Sequence, residues 1–159
     1  MKKFMLIAGL AALIYSCSGG DNKSQESTGD NSSAASSSES SAPSYDTARG
    51  AGKFQDVQVA ANLDQAKATA GKQVYDVKCA SCHKTTDEKL VGPGWAGVTS
   101  RHKPEWILNF ITNTDEMLTK DPKAQAQLEI CLVRMPNQSL TDDEALSVFE
   151  FMRQNDGVK

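Results

Sequence analysis

The sequence lacks an excess of basic residues. Its 159 residues contain 17 Lys and Arg against 20 Asp and Glu, which gives a formal net charge of −3. Proteins that hold nucleic acid or an anionic membrane surface by charge carry a basic excess on the binding face. The composition therefore excludes nucleic acid as a partner.

Long apolar runs and strand patterns are missing as well. The longest apolar run, residues 4–15, is shorter than the roughly 20 residues that cross a bilayer as a helix. No segment alternates apolar and polar side chains as a half-buried β-strand does, and no internal repeat is present. These absences predict an all-α fold, and the length of the chain limits it to one small domain, residues 63–159.

The short apolar run near the N-terminus predicts export. Lys2 and Lys3 precede it, and this order is typical of a signal peptide, here residues 1–16. Residues 14–17 (Ile-Tyr-Ser-Cys) resemble the lipobox of bacterial lipoproteins, which implies that Cys17 carries a lipid. The alternative is an ordinary cleaved secretory signal with an incidental cysteine. Both interpretations place the protein on the periplasmic or cell-surface side of a membrane.

Residues 17–62 are predicted to be a lipid-anchored disordered linker that ends in an N-terminal extension of the domain. Positions 18–48 are dominated by Ser, so they cannot bury enough apolar surface to offset the entropy of ordering. As a Gly/Ser-like coil, this tether reaches roughly 35 Å. Phe54, Val57 and Val59 could pack on the domain, but their spacing does not decide it.

Capping residues and apolar periodicity predict four helices. Asp64 can begin a helix that runs to about Lys78, and prolines begin two more at Pro104 and Pro122. Thr141, with a Glu three residues later, forms a capping box for the last helix. The expected buried faces are Ala66, Ala70, Val74 and Val77; Trp106, Ile107, Phe110 and Ile111; Ala124, Leu128, Cys131 and Leu132; and Ala145, Val148, Phe149 and Met152. So few apolar side chains form a marginal core, which suggests that a further group fills the middle.

The motif that carries the chemistry is Cys79-Ala80-Ser81-Cys82-His83. It has the C-x-x-C-H spacing of covalent haem attachment. Cys79 and Cys82 can bond the two vinyl groups of one porphyrin as thioethers, and His83 can then supply the fifth iron ligand. The predicted cofactor is therefore one covalently attached haem c with its iron.

Two other uses of these cysteines are alternatives. A thioredoxin-like redox pair is expected in a βαβ setting, which the sequence does not show. A zinc site needs a second pair of ligands, and only Cys131 and His102 are available, each of them alone. The context therefore favours haem.

From residue 64 to residue 154 the sequence resembles the class I, mitochondrial-type cytochromes c. Gly71 and Tyr75 precede the haem motif as the glycine and the aromatic residue of that family do. The resemblance implies that this helix crosses the last one near Val148 and Phe151. It also implies the small fold of the family, with about four helices around a single haem c.

The resemblance extends to the surroundings of the iron. Residues 91–95 (Val-Gly-Pro-Gly-Trp) look like the Gly-Pro loop of the family. This implies that the Pro93 carbonyl accepts a hydrogen bond from the His83 imidazole, and that Trp95 packs near the haem. Met135, which a proline follows, matches the distal ligand segment, and this implies that Met135 is the sixth iron ligand.

Three further residues are weaker candidates for a functional role. Met117 is the alternative sixth ligand, and core packing is the alternative role for Met135. His102 would make the iron site bis-His, but its charged neighbours predict a solvated approach to a helix. Cys131 has no cysteine partner once the other three are assigned to lipid and haem, so we expect it to pack as a small apolar residue.

These assignments predict an electron carrier without enzyme activity of its own. Iron held by His83 and Met135 in both oxidation states needs no open position for a substrate. The expected partners are respiratory redox proteins: a quinol-oxidising complex as donor, and a terminal oxidase or periplasmic reductase as acceptor. The alternative is a haem enzyme or gas sensor, peroxidase-like or binding NO or CO, with an open sixth iron position.

Overall fold

The computed structural model describes residues 45–159, and this part of the chain is all-α. Its six helices are α1 (Gln65–Lys78), α2 (Val98–Arg101), α3 (Pro104–Thr112), α4 (Thr114–Lys120), α5 (Pro122–Cys131) and α6 (Asp142–Asn155). The predicted fold class is confirmed. The two helices beyond the predicted four are α2 and α4, which are short and lie in connections where no capping signal was recognised.

The four predicted helix starts are confirmed, because each depends on local chemistry. The Asp64 carboxylate accepts a hydrogen bond from the Lys67 N–H, and the Thr141 hydroxyl forms the capping box of α6. Pro104 and Pro122 stand in the first turns of α3 and α5. The two side-chain caps satisfy N–H groups that a helix leaves unpaired at its N-terminus, and a proline in the first turn has no N–H to leave unpaired, so all four starts can be predicted from a few adjacent residues.

The buried face of α1 differs from the predicted one. Ala68, Gly71 and Tyr75 are buried, whereas Val77 is 84% exposed. The cause is the crossing of α1 with α6, where a Cβ atom built on Gly71 would lie 1.9 Å from the Ser147 carbonyl oxygen. The two backbones touch there, so the helix turns its smallest residues inward. The predicted face of Ala66, Ala70, Val74 and Val77 is therefore wrong, although Val74 is partly buried.

The predicted buried faces of the other helices are confirmed, except at the end of α5. Ala145, Val148, Phe149 and Met152 are all buried on α6, and Trp106, Ile107 and Ile111 are buried on α3. On α5, Ala124 is buried, but Leu132 is 84% exposed. The helix ends at Cys131, and Leu132 takes a left-handed backbone conformation with a φ of 59°. Helical spacing stops applying at that point, so the prediction for Leu132 is wrong.

Residues 45–62 pack against α3, α4 and α6, and we call them the N-terminal strap. The Tyr45 hydroxyl donates to the Asp121 carboxylate at 2.8 Å, and the Ala51 N–H donates to Met117 Sδ at 3.0 Å. The side chain of Asn109 donates to two strap carbonyls and accepts from the Phe54 N–H. Phe54 and Val57 are partly buried, as the extension required, whereas Val59 is 40% exposed.

The predicted signal peptide, Cys17 and residues 18–44 of the linker lie outside the described residues. Within residues 45–159, no helix has the length and apolar character that a membrane crossing requires.

Candidate haem site

An open cavity lies beside the C-x-x-C-H motif. Cys82, His83 and Met135 line it together, and its other walls come from the Gly-Pro loop, α3, α4 and α5. A second hollow shares these three residues and continues toward Cys79 and Trp95. Two hollows therefore adjoin the motif, and together they border both of its cysteines, as a ring attached through two thioethers would require.

The His83 side chain is oriented by the Gly-Pro loop. Its Nδ1 lies 2.9 Å from the Pro93 carbonyl oxygen, where the Nδ1–H donates. Burial lowers the pKa of His83, and the hydrogen bond to Pro93 opposes this only in part. The imidazole is therefore neutral near pH 7, with its Nε2 lone pair free to bind a metal.

Gly92 is a residue whose role the sequence did not reveal. A Cβ atom at this position would lie 2.3 Å from His83 Cε1. Its N–H also donates to the Cys82 carbonyl at 2.8 Å, which fastens the loop to the motif. Any side chain at Gly92 would thus push the imidazole out of place. Only the Gly-Pro pair itself could have signalled this contact.

An aromatic cluster supports the same histidine from the backbone side. The Tyr75 hydroxyl donates to the His83 carbonyl at 2.7 Å. Tyr75 packs on Trp95 and Phe151, with ring centroids 4.9 Å and 5.3 Å apart, and Trp95 lies 5.6 Å from the His83 ring. The resemblance called for an aromatic ring at position 75, but it did not indicate the hydroxyl contact.

The two cysteines of the motif are free thiols in the described chain. Cys79 is buried and Cys82 is partly exposed. Burial raises the pKa of the Cys79 thiol to about 11. A thioether cannot ionise, so the environment that disfavours a thiolate at Cys79 suits a sulfur bonded to carbon.

Of the two methionine candidates for the sixth position, only Met135 lines the cavity with His83. Met117 is fully buried under the strap, where its sulfur accepts the Ala51 N–H. The structure therefore assigns Met117 to core packing. Met135 remains partly exposed, on a segment without regular structure between α5 and α6.

His102 lies away from the cavity, whereas Cys131 lies in its wall. His102 stacks on Trp106 with centroids 4.0 Å apart, and its Nδ1 is buried without a partner, so the predicted solvated position is wrong. The stack forms because His102 stands one turn before Trp106, at the start of α3. It does not line the cavity beside His83. Cys131 is partly buried in the cavity wall, where α5 ends.

No group of three or more His, Cys, Asp or Glu side chains in residues 45–159 is arranged to hold a bare metal ion. An iron here needs a ligand group of its own, and the cavity, the paired cysteines and the oriented histidine fit a haem.

Comparisons with known proteins agree with this geometry. The cytochrome c family profile matches residues 68–156. A solved cytochrome c from Rhodothermus marinus is 28% identical, with a TM-score of 0.64, over 66% of this chain and 90% of that chain. An engineered form of that protein is 27% identical to this chain, with a TM-score of 0.63 and the same coverage of both chains. A further engineered form, bound to a carbene intermediate, is 27% identical, with a TM-score of 0.61 and again the same coverage. No curated protein matches the chain with significance.

The family match spans more than half of the chain and includes every residue discussed at the cavity. Cytochromes c bind a covalently attached haem c through its iron and porphyrin, and they transfer electrons with it. The helical architecture, the motif and the match lead to one conclusion: the chain belongs to the cytochrome c family.

Proposed function

We propose that this cytochrome c is a one-electron carrier whose haem iron is held by His83 and Met135. The observation that carries the proposal is that these two side chains line one cavity, beside Cys82. Cys79 and Cys82 would hold the porphyrin as thioethers. When bound, the haem supplies a reversible couple between ferric and ferrous iron.

The chain's own residues keep this site rigid. Pro93 holds the proton on His83 Nδ1, so the Nε2 lone pair keeps its direction in both oxidation states. Tyr75 fixes the backbone of the same residue from the other side. A thioether such as that of Met135 is soft and uncharged, so it suits both states of the iron. A site that changes little between states favours fast electron transfer.

The cavity offers little for an enzyme mechanism. Its charged or amide side chains are Arg134 and Gln127, and it is lined by no carboxylate and by no histidine other than His83. Peroxide or substrate chemistry needs a distal acid or base to move protons. The lining therefore supports a carrier over the alternative of a haem enzyme or gas sensor with an open sixth position.

The sixth ligand is tested by absorption spectra of the holoprotein, oxidised and reduced, with and without carbon monoxide. We expect wild type to show a weak band at the red end of the oxidised spectrum and no response to carbon monoxide. Met135→Ala should lose the band and bind carbon monoxide, because the iron then has an open position.

Met117→Leu is the matched control, since it removes the other candidate thioether with little change in volume. This variant should keep the wild-type spectrum. A wild-type protein that binds carbon monoxide readily would sink the carrier proposal and favour the enzyme or sensor. Loss of the band in Met117→Leu alone would transfer the ligand role to Met117.

We further propose that the carrier is exported and lipid-anchored at Cys17. The support is the sequence of residues 1–17 and the Ser-rich stretch that follows. A tether would hold the haem domain at high effective concentration near membrane partners. These partners are a quinol-oxidising complex as donor, and a terminal oxidase or periplasmic reductase as acceptor.

The anchor is tested by fractionation of cells that produce Cys17→Ser. We expect this variant in the soluble exported fraction and the wild type with the membranes. Ser16→Ala, which keeps the cysteine and a small residue before it, should remain with the membranes. Sedimentation of Cys17→Ser with the membranes would show that lipid on Cys17 is not the anchor.

A further inference from the structure

The segment that carries Met135 is bounded by two strained residues. Leu132 and Ser139 have φ values of 59° and 51°, and within residues 45–159 they are the only residues other than glycine with a positive φ. We call residues 132–139 the ligand loop, which has no regular secondary structure. Because side chains crowd a left-handed backbone, such residues persist only where surrounding contacts hold them. The shape of the ligand loop therefore depends on what fastens it to the rest of the protein.

One group of polar contacts fastens the ligand loop to the domain. Arg134 Nη2 and Nε donate to Asp115 Oδ1 at 3.0 Å and 3.3 Å, and Arg134 Nη2 also donates to the Asp115 carbonyl at 3.4 Å. Two further hydrogen bonds, donated by Gln138 and Ser139, stay inside the loop. Within the described part of the chain, no other hydrogen bond or ion pair joins positions 133–139 to the rest. The contact of Arg134 with Asp115 is thus the polar link between loop and domain.

Asp115 stands on a helix that is fixed to the core. It lies in the first turn of α4, where a negative charge is favourable. Met117 and Thr114 of the same helix are fully buried. The Met117 sulfur accepts the Ala51 N–H at 3.0 Å. The Thr114 hydroxyl donates to the Phe110 carbonyl at 2.9 Å. The carboxylate that holds Arg134 therefore has a fixed position, which the ligand loop does not have by itself.

Arg134 is the neighbour of Met135 along the chain. Both residues line the cavity beside His83. With haem bound, the ligand loop has two ties to the domain, the bond from the Met135 sulfur to iron and the contact of Arg134 with Asp115. A nitrogen base can compete with a neutral thioether for ferric iron, because imidazole suits iron well. A tie one residue away keeps the sulfur at high effective concentration beside the metal.

We propose that the ion pair of Arg134 with Asp115 is a latch that keeps Met135 on the iron, so that both are positioning residues for the sixth ligand. This rests on the proposed function, in which Met135 binds the iron. The Asp115 side chain is 73% exposed, and an ion pair in contact with solvent contributes modestly, so the latch shifts the balance between bound and released Met135. When imidazole replaces the released sulfur, one iron–sulfur bond breaks and one iron–nitrogen bond forms, and no electron is transferred.

The test is a titration of the oxidised, full-length holoprotein with imidazole at about pH 8, where imidazole is neutral. Loss of the weak band at the red end of the spectrum reports the replacement of Met135. Arg134→Gln and Asp115→Asn each remove one charge of the latch. Lys120→Gln is the matched control, since it removes one positive charge from another exposed ion pair of α4, with Glu116 at 2.7 Å.

We expect Arg134→Gln and Asp115→Asn each to raise the affinity for imidazole roughly threefold, and Lys120→Gln to match wild type. The double variant Arg134→Gln/Asp115→Asn should also show roughly a threefold increase, because the second change removes nothing further. Salt raised from roughly 0.02 to 0.5 M should bring the wild-type affinity toward that of the variants. An unchanged affinity in Arg134→Gln, an equal increase in Lys120→Gln, or a roughly ninefold increase in the double variant would each overturn the latch.

A Met135→Ala background separates positioning from a direct effect of Arg134 on the added base. Arg134→Gln/Met135→Ala should bind imidazole with the affinity of Met135→Ala alone, because no sulfur remains for the latch to hold. A roughly threefold difference between these two proteins would show that Arg134 acts on imidazole itself, and would overturn the positioning role.

Met135→Ala also distinguishes failure of the latch from failure of the function on which it rests. Equal imidazole affinities of wild type and Met135→Ala would show that Met135 is not the sixth ligand, and the latch would fail with that assignment. Much tighter binding by Met135→Ala, together with no effect of Arg134→Gln, would leave the ligand assignment in place and overturn the latch alone.

Discussion

His83 is the residue on which most local contacts converge. The Pro93 carbonyl holds its ring, the Tyr75 hydroxyl holds its backbone, and Gly92 leaves room for the ring to sit. The first contact was implied by the Gly-Pro loop, whereas the other two were not. A hydroxyl that reaches eight positions along the chain depends on how α1 ends and turns, and no spacing rule describes that path.

His102 gives the stability of the protein a specific pH dependence. Burial lowers its pKa, and the nearby charges of Lys123 and Arg101 lower it further, against Asp121, which raises it. Below about pH 6.5 the unfolded chain therefore binds a proton that the folded chain resists. Stability should fall as pH decreases through this range.

We expect His102→Phe to remove this component, because Phe keeps the stack on Trp106 and cannot be protonated. The measurement is denaturant unfolding of the holoprotein between about pH 5.5 and 7.5. The difference in the free energy of unfolding between variant and wild type should grow in favour of the variant as pH falls. Parallel curves for the two proteins would show that His102 does not titrate on unfolding.

Among the helices, the crossing of α1 and α6 dominates the packing. A Cβ atom on Gly71 would stand 1.9 Å from the Ser147 carbonyl and 2.8 Å from the Val148 nitrogen, and both of these are backbone atoms. Neither can rotate away as a side chain would. The helices would have to separate, and the aromatic cluster of Tyr75 and Phe151 lies directly beside this contact.

We therefore expect Gly71→Ala to lower the free energy of unfolding by about 2 kcal/mol or more, despite the better helix propensity of Ala. Urea unfolding of the holoprotein measures it. Thr69→Ala, on the exposed side of the same helix, should change stability by less than about 0.5 kcal/mol. A loss in Gly71→Ala no greater than in Thr69→Ala would mean that the helices can separate at little cost.

Helix positions were easier to predict than helix faces. The starts at Asp64 and Thr141 depend on side chains that bond their own first turn, and the start at Pro104 depends on a proline whose fixed φ suits the first helical position. The face of α1 depends on α6, which lies far along the chain. Apolar periodicity favoured Val77, but close contact of two backbones requires Gly71 on the inside, so the helix is rotated away from its most apolar side.

At the scale of the whole molecule, the N-terminal strap closes the outer side of α3 and α4. Asn109 is fully buried and donates to the Arg49 and Phe54 carbonyls at 2.9 Å and 2.8 Å. It also accepts the Phe54 N–H at 2.9 Å. One amide therefore satisfies three backbone groups of the strap, and Gly52 leaves the space in which it sits.

Loss of this amide should free the strap. We expect Asn109→Ala to lower the free energy of unfolding by about 2–3 kcal/mol, because buried backbone groups lose their partners. Trypsin should then cleave faster after Arg49 and Lys53, as followed by mass spectrometry. Asn155→Ala, which removes one exposed amide contact to the Thr85 carbonyl, is the control and should stay close to wild type. Equal cleavage rates would show that Tyr45 and Met117 hold the strap without Asn109.

The sequence by itself determined what depends on neighbours along the chain. The C-x-x-C-H motif, the helix caps and the absence of strand patterns all act over a few residues, so the cofactor and the all-α class could be predicted. The tertiary structure alone decided the rotation of α1, the core position of Met117 and the packing of the strap. Each of these depends on groups distant in sequence, whose meeting is set by packing and by the pairing of buried polar atoms, and local patterns carry no record of those distances.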